Sequence, residues 1–144
     1  MSFMPPTDSM FLLAESREHP MHVGGLQLFV PPEDAGPEFA RDLLDSFTQT
    51  DNVSALFRKR PAQPVGTLGN TWWSVDETLD YDYHVRHSAV PQPGRIRELL
   101  QLTSRWHGSL LDRHHPLVEA HLVEGLADGR IAVYSKIHHS IHVT

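Results

Sequence analysis

Cysteine is absent from this chain of 144 residues, and its hydrophobic runs are short. Without cysteine the chain has no disulfide framework, no thiol nucleophile and no metal site that depends on thiolate ligands. The hydrophobic runs extend over a few residues, as at 10–14, whereas a transmembrane helix needs roughly 20. The first ten residues lack the basic and apolar segments of a secretory signal. The sequence therefore predicts a globular protein of the cytoplasm.

Basic residues are scarce, and histidine is abundant. The chain has 12 Lys and Arg against 18 Asp and Glu, which gives a net charge of −6 with neutral histidine. This balance argues against a nucleic-acid partner, because phosphate binding needs a net basic patch. Full protonation of the 11 histidines would reverse the sign of the net charge. We therefore expect charge-dependent behaviour to vary with pH.

Helical and strand patterns alternate along the chain. Apolar spacing and capping residues predict helices over 11–18, 39–47 and 96–110, with a weaker helical turn at 53–57. Strand patterns follow at 21–30, 71–75, 81–90, 117–124 and 131–137, with a connector at 61–64. The segment 21–30 is apolar on both faces, which is typical of a central strand buried on both sides. Asp128 and Gly129 predict the turn of a hairpin between the last two strands.

The alternation predicts an α/β sandwich that forms a single unit over 1–144. It has neither the glycine-rich turns of a dinucleotide-binding fold nor an internal repeat. The chain ends at Thr144, shortly after its last predicted strand and without a helix cap or a polar tail. We therefore expect the lobe to be interrupted at this end.

The pair His138 and His139 is the strongest candidate for chemistry. It follows a predicted buried strand, which can fix an imidazole beside a pocket as a general base requires. The alternative is two ordinary histidines at a strand end. His138 and His142 also have the i, i+4 spacing of zinc ligands on a helix, but the zincin motif needs Glu at the position of His139. A metal site is therefore not favoured.

Other polar and aromatic residues favour structural interpretations. Asp112 and Arg113 are interpreted as an ion pair with an architectural role rather than a catalytic one. His114 and His115 belong to a polar loop. The tryptophans are interpreted as anchors of the core or of a partner interface; they are Trp72, Trp73 and Trp106.

Taken in order, short motifs along the whole chain resemble the N-terminal lobe of the bacterial wax ester synthase/diacylglycerol acyltransferase family. The motifs are Asp8-Ser9-Met10-Phe11-Leu12, Pro20-Met21-His22-Val23-Gly24, Tyr83-His84-Val85-Arg86, Pro93-Gly94 with Glu98-Leu99, Leu111-Asp112-Arg113 with Pro116-Leu117 and Glu119, Glu124-Gly125-Leu126 with Asp128-Gly129-Arg130, and Lys136-Ile137-His138-His139. The resemblance implies one lobe of a coenzyme A-dependent acyltransferase, a two-layer α/β sandwich similar to chloramphenicol acetyltransferase, with the second lobe absent.

The resemblance also implies a reaction. In the family's HHxxxDG motif the second histidine, here His139, removes the proton from a hydroxyl that attacks the thioester of acyl-coenzyme A. His138 shapes the loop, and no covalent acyl-enzyme is expected. Acyl-coenzyme A is then a substrate, with no cofactor, and the acceptor is diacylglycerol or a long-chain alcohol. The products are triacylglycerol or wax ester.

The sequence departs from the family's pattern at its end. Counted from His138, the motif's Asp and Gly fall on Val143 and Thr144. The family's PLDR and PLWE motifs also change, at Leu110 and Val118. We therefore expect a truncated and inactive acyltransferase. The alternative is a non-catalytic lobe that binds a full-length acyltransferase, or the surface of a membrane or lipid droplet, through an uncovered apolar face.

Overall fold

The computed structural model describes residues 2–4, 6–48, 59–62, 72–75, 80–138 and 140. Its helices are α1 (Pro6–Ala14), α2 (Phe39–Thr48), α3 (Tyr81–His84) and α4 (Ile96–His107). Its strands are β1 (Ser2–Phe3), β2 (His22–Phe29), β3 (Lys59–Ala62), β4 (Trp72–Val75), β5 (Val85–Ala89), β6 (Val118–Glu124) and β7 (Ile131–His138). No helix within these ranges has the length and apolarity to cross a bilayer.

Four strands form the main sheet, in the order β2-β7-β6-β5. β7 is antiparallel to both of its neighbours, and β5 runs parallel to β6. The short strands β1, β4 and β3 form a second, antiparallel sheet in that order. The register of the main sheet sets His22 of β2 opposite His138 of β7, and Glu119 of β6 opposite Lys136 of β7. These pairs bring distant polar residues to one end of the sheet.

Helices cover both faces of the main sheet. On one face, here called the α2 face, Leu43 and Leu44 of α2 pack with Leu122, Ile131 and Val133. α1 packs beside the same face, in a cluster of Met4, Leu12, Leu111 and Leu117 with Ile137 against it. On the opposite face, here called the α4 face, Leu99 and Trp106 of α4 pack with Val123 and Ala132. The α/β prediction is therefore confirmed, with three layers where two were expected.

β2 differs from its prediction because it is an edge strand. The prediction made it a central strand, but its only neighbour among the described residues is β7, and seven of its eight residues are exposed. Val23 and Phe29, on the α2 face, and Leu26 and Leu28, on the α4 face, are among the exposed apolar side chains. The apolar residues on both faces of β2 therefore indicate a surface that another segment can cover, and not burial among the described residues.

The hairpin and the long helix are confirmed. β6 and β7 pair along six positions, and Gly129 has the positive φ of +80° that the turn between them requires. The Arg130 N–H donates to Asp128 Oδ1 at 3.0 Å. α4 begins after Arg95, whose N–H donates to Glu98 Oε2, and ends at His107 rather than at 110.

Other predicted boundaries shift. The first helix starts at Pro6 and ends at Ala14. Its start at Pro6 is favourable because proline fits the first turn of a helix, where its missing N–H is not needed. The predicted strand 81–90 divides into α3 and β5, and β3 occupies 59–62, where a connector was expected from 61. The predicted turn at 53–57 lies outside the described residues.

Candidate active site

Polar side chains fill one end of the α4 face, where β2, β6 and β7 meet the end of α4. We call this group the polar cluster. Its members on the sheet are His22, Glu119, His121, Tyr134, Lys136 and His138, joined by Glu15, Arg113 and Ser140 from the surrounding segments. Most of these side chains are buried, so the cluster is a polar interior rather than a surface patch. Buried polar groups need partners, and their contacts define the geometry of the site.

His138 is hydrogen-bonded through Nδ1 and faces a carboxylate through Nε2. The Ser140 N–H donates to Nδ1 at 3.1 Å, and Ser140 Oγ lies 2.8 Å from the same nitrogen. Because a backbone N–H can only donate, Nδ1 must be unprotonated, and the ring of neutral His138 carries its proton on Nε2. Nε2 lies 3.1 Å from Glu15 Oε2, an ion-pair contact that lacks the angles of a hydrogen bond. Burial lowers the pKa of His138, although the charge of Glu15 opposes this shift.

Glu15 is a buried carboxylate with partners from three segments. Its side chain is only 1% exposed. Oε2 accepts the Met21 N–H at 2.9 Å, and Oε1 accepts Arg113 Nη2 at 3.2 Å. Burial alone raises the pKa of Glu15, but the Met21 amide, His138 and Arg113 outweigh it and hold the pKa below its usual value. Glu15 therefore remains charged within the fold.

Lys136 ties the sheet to the end of α4. Its side chain is 1% exposed, and Nζ donates to the carbonyls of Trp106 at 2.6 Å and Ser109 at 2.7 Å. The carbonyl end of a helix carries a partial negative charge, which favours a cation at this place. Glu119 Oε2 lies 3.7 Å from Nζ. Burial lowers the pKa of Lys136, and the charge of Glu119 opposes that shift.

Glu119 and His121 extend the cluster along β6. His121 Nε2 lies 3.4 Å from Glu119 Oε2, and the His121 ring stacks on Trp106 with ring centroids 4.0 Å apart. Burial raises the pKa of Glu119, but contacts with His121, Lys136 and Arg86 outweigh it, so the pKa is lowered overall. Trp106 is thus a core anchor, as the sequence predicted.

A small cavity lies beside the cluster, between β2 and α4. The His22 ring donates through Nε2 to the His107 carbonyl at 2.6 Å, and a 2.8 Å hydrogen bond joins His107 Nδ1 to the Tyr134 hydroxyl. Burial, followed by the charge of Glu119, raises the pKa of Tyr134 to about 12. The cavity has a volume of about 390 Å³ and is lined by Gly24, Leu26, Thr103, Ser104, His107, Gly108 and Tyr134.

Gly24 permits this arrangement. A Cβ atom at Gly24 would lie 2.8 Å from His107 Nδ1 and 2.9 Å from the Tyr134 hydroxyl, closer than side chains approach one another. The absence of a side chain at Gly24 therefore allows the hydrogen-bonded pair to rest against β2.

The predicted site residues have different outcomes. His138 lies in the polar cluster, whereas His139 lies outside the described residues, as do His142, Val143 and Thr144. Within the ranges that the structure describes, no group of three His, Asp or Glu side chains is placed to hold a metal ion.

The expected ion pair between Asp112 and Arg113 is wrong. Asp112 Oδ1 accepts the His114 N–H and lies 2.9 Å from His114 Nδ1, while Arg113 pairs with Glu15 and donates to the Leu12 carbonyl. Adjacent residues in a turn point apart, so each finds a separate partner. His114 is exposed, which agrees with the polar loop expected there.

Sequence reasoning missed several members of the cluster. Glu15 has no distinguishing signal, because one Glu near a helix end is typical of a solvated face. Lys136 has a signal that could have been used. It interrupts an apolar strand at a position whose neighbours two residues away, Tyr134 and His138, are buried. A lone charge on the buried side of a strand indicates an internal partner.

Comparison with known proteins now connects this geometry to a family. Residues 4–142 match the catalytic domain of wax ester synthase/diacylglycerol acyltransferase. The chain belongs to this family. It is 57% identical over 141 residues to a probable diacylglycerol O-acyltransferase of Mycobacterium tuberculosis, covering 98% of this chain and 31% of that protein. It is 42% identical to the O-acyltransferase WSD of Acinetobacter baylyi, covering 94% of this chain and 28% of that protein.

Solved structures agree. The wax ester synthase/diacylglycerol acyltransferase of Marinobacter aquaeolei superposes with a TM-score of 0.89 at 47% identity, covering 98% of this chain and 34% of that one. The starter condensation domain of rhizomide synthetase shares the fold, with a TM-score of 0.70 at 9% identity over 34% of its length. The acyltransferase family and the predicted fold are therefore confirmed. This chain spans about a third of the length of the relatives it matches.

Proposed function

We propose that this chain provides the catalytic base of an acyl-coenzyme A-dependent O-acyltransferase that makes triacylglycerol or wax ester. The acceptor is diacylglycerol or a long-chain alcohol. His139 is the general base, and His138 shapes the backbone beside it. The observation that carries the proposal is the double anchoring of His138 in a chain of this family, with Glu15 at one ring nitrogen and Ser140 at the other.

The proposed chemistry needs one base and no covalent intermediate. His139 takes the proton from the acceptor hydroxyl as its oxygen attacks the thioester carbonyl carbon. The carbon–sulfur bond then breaks, and the proton passes to the departing thiolate of coenzyme A. A hydroxyl is a weak nucleophile at neutral pH, and a positioned base contributes about 10²–10⁴-fold to such a step.

His138 is suited to a positioning role and not to the role of base. Its Nδ1 accepts from Ser140, and its Nε2 faces a carboxylate, so neither nitrogen is available to an incoming hydroxyl. His138 and Ser140, which contact each other, are also the residues on either side of position 139 in the sequence. This supports a division of roles between the two histidines.

The test is acyl transfer by a chimera. This chain replaces the matching third of the Marinobacter enzyme, with and without the changes Val143→Asp and Thr144→Gly. We expect transfer from palmitoyl-coenzyme A to diacylglycerol or hexadecanol, and a loss of at least about 10²-fold with His139→Ala. His114→Ala, at an exposed histidine, is the control and should leave the rate unchanged. A folded chimera that transfers acyl groups equally well with His139→Ala would contradict the proposal.

We also propose that the chain without further sequence turns over little, since the β2 side of its cavity is open. A second candidate function, binding of a lipid surface, is favoured by the exposed apolar side chains of β2 and by Met10 and Leu13 of α1. Flotation with vesicles of phosphatidylcholine and triacylglycerol tests this function. Recovery of the chain in the floating fraction, reduced by Leu28→Ser and Leu13→Ser, is the expected result. Absence of the chain from that fraction would count against membrane or lipid-droplet association.

A further inference from the structure

Glu15 makes contacts that suit a specific task. It lies just beyond the last residue of α1, and its carboxylate joins the end of β7 to the segment before β2 and to Arg113. Each carboxylate oxygen has its own partners: Oε1 contacts Arg113, while Oε2 contacts the Met21 N–H and His138 Nε2. With its side chain 1% exposed, Glu15 is held in place by these partners rather than by water.

The partners of Glu15 fix its charge as well as its position. Arg113 is itself tied to α1 by donation to the Leu12 carbonyl. The charged and titratable groups around His138 are Glu15, Arg113 and His22. Of these, Glu15 is the group whose oxygen lies close to His138 Nε2, in a 3.1 Å ion-pair contact. The ring therefore has one favourable orientation, with Nε2 toward Glu15 and Nδ1 toward Ser140.

We propose that Glu15 is a positioning residue that fixes the ring orientation and tautomer of His138, and through His138 the backbone of Ser140. This inference rests on the proposed function for its catalytic meaning. A carboxylate that orients an imidazole is a general device for placing histidine, because it selects which nitrogen carries the proton. Here the oriented ring accepts the Ser140 N–H and so restrains the chain on the far side of position 139.

The test uses nuclear magnetic resonance of the 144-residue chain. The ring nitrogen shifts of His138 report its tautomer and pKa, and hydrogen exchange reports the protection of the Ser140 amide. In the unmodified chain we expect the Nε2–H tautomer at neutral pH and a protected Ser140 amide. With Glu15→Ala we expect mixed tautomers and Ser140 exchange faster by about tenfold, as for the loss of one hydrogen bond.

Glu15→Gln separates orientation from charge. Its amide oxygen can still accept the Met21 N–H and lie beside His138 Nε2, so the Ser140 amide should remain largely protected. The pKa of His138 should fall, because the carboxylate charge that opposes the effect of burial is gone. Glu18→Ala, at an exposed glutamate of the same segment, is the matched control and should change neither quantity.

The outcomes are distinct. If a folded Glu15→Ala chain keeps the tautomer of His138 and the protection of Ser140, the inference is overturned. If that variant does not fold, Glu15→Gln decides, because an unchanged pKa of His138 would overturn it equally. In an active chimera, Glu15→Ala should lower kcat by about tenfold with KM for palmitoyl-coenzyme A unchanged, whereas Glu15→Gln should keep most of kcat and shift the pH profile. Failure of acyl transfer in every chimera would contradict the proposed function and leave the resonance result standing.

Discussion

The two faces of the main sheet differ in burial and in chemistry: along β6 and β7 every residue of the α4 face is buried, whereas on the α2 face only Leu122 and Ile131 are. On the α2 face, Leu122 is 2% exposed and packs among aliphatic side chains of α2 and β7. On the α4 face, Lys136 is 1% exposed and is surrounded by carbonyls and a carboxylate. Aliphatic packing is not directional, whereas hydrogen bonds fix angles and distances. The aliphatic packing of the α2 face therefore contributes stability, while the polar end of the α4 face fixes the positions of its side chains.

The polar end has an energetic cost that the α2 face avoids. Burying a charge is unfavourable unless it is paired and hydrogen-bonded, and an apolar replacement for a buried ion pair is often as stable. The cluster around His138 is therefore not explained by stability alone. Its ordered contacts suit a site in which ring orientation matters.

The largest effects on the free energy of unfolding are expected for Lys136→Met, on the α4 face, and Leu122→Ala, on the α2 face. Each should lower the free energy of unfolding by about 3 kcal/mol. Lys136→Met leaves Glu119 and the carbonyls of Trp106 and Ser109 without their cation, and Leu122→Ala creates a cavity. Only Lys136→Met should speed hydrogen exchange at the end of α4, where the amides of Gly108 and Ser109 bond. Arg105→Met, at an exposed cation of α4, is the control. Equal exchange in Lys136→Met and Leu122→Ala would remove the distinction between the faces.

A smaller effect is expected at two adjacent glycines of β2, where an added Cβ atom would lie on opposite faces of the sheet. Gly24→Ala, on the α4 face, should cost about 2 kcal/mol and separate His107 from Tyr134, because the new methyl group overlaps both. Gly25→Ala, on the α2 face, meets no atom closer than Ser135 Oγ at 3.6 Å and should cost little. Urea unfolding and titration of Tyr134 measure the two changes. Equal losses in the two variants would show that the cavity side of β2 is not tightly packed.

The smallest effect is the pH dependence of stability between about pH 7.5 and 5.5. Burial lowers the pKa of His22 and His138 below 6.5, so the unfolded chain takes up protons at a pH where the folded chain does not. The free energy of unfolding should therefore fall as the pH falls through 6.5, until the folded-state pKa values are reached. Leu122→Ala should lower the whole curve and keep its slope. A flat curve measured by urea unfolding would contradict the neutral buried histidines of the α4 face.

Local patterns in the sequence predicted much of the fold. The apolar spacing of α4 and the Asp128-Gly129 turn are properties of neighbouring residues, and both were confirmed. The edge position of β2 was not predictable in this way, because an apolar strand has the same sequence pattern whether or not the described residues cover it. The ordering of strands depends on contacts distant in sequence, and no local signal determines it.

The residues of the candidate site were likewise predictable where a local pattern marks them and not where a distant contact does. The strand-end position of His138 followed from the pattern of β7, and the family resemblance added a role for the pair. The partnership of Glu15 with His138 joins residues far apart in the chain, and one carboxylate in a helical segment gives no sign of it. The same distance explains why Arg113 was paired with its neighbour Asp112 in the prediction and with Glu15 in the structure.

The most direct test of the central claim is the rate of palmitoyl transfer by the chimera with His139→Ala, compared with Leu122→Ala at equal amounts of folded protein. We expect Leu122→Ala to keep kcat near that of the unmodified chimera and His139→Ala to lower it by at least about 10²-fold. A chimera that loses turnover with Leu122→Ala and keeps it with His139→Ala would contradict the proposal that His139 is the acyl-transfer base.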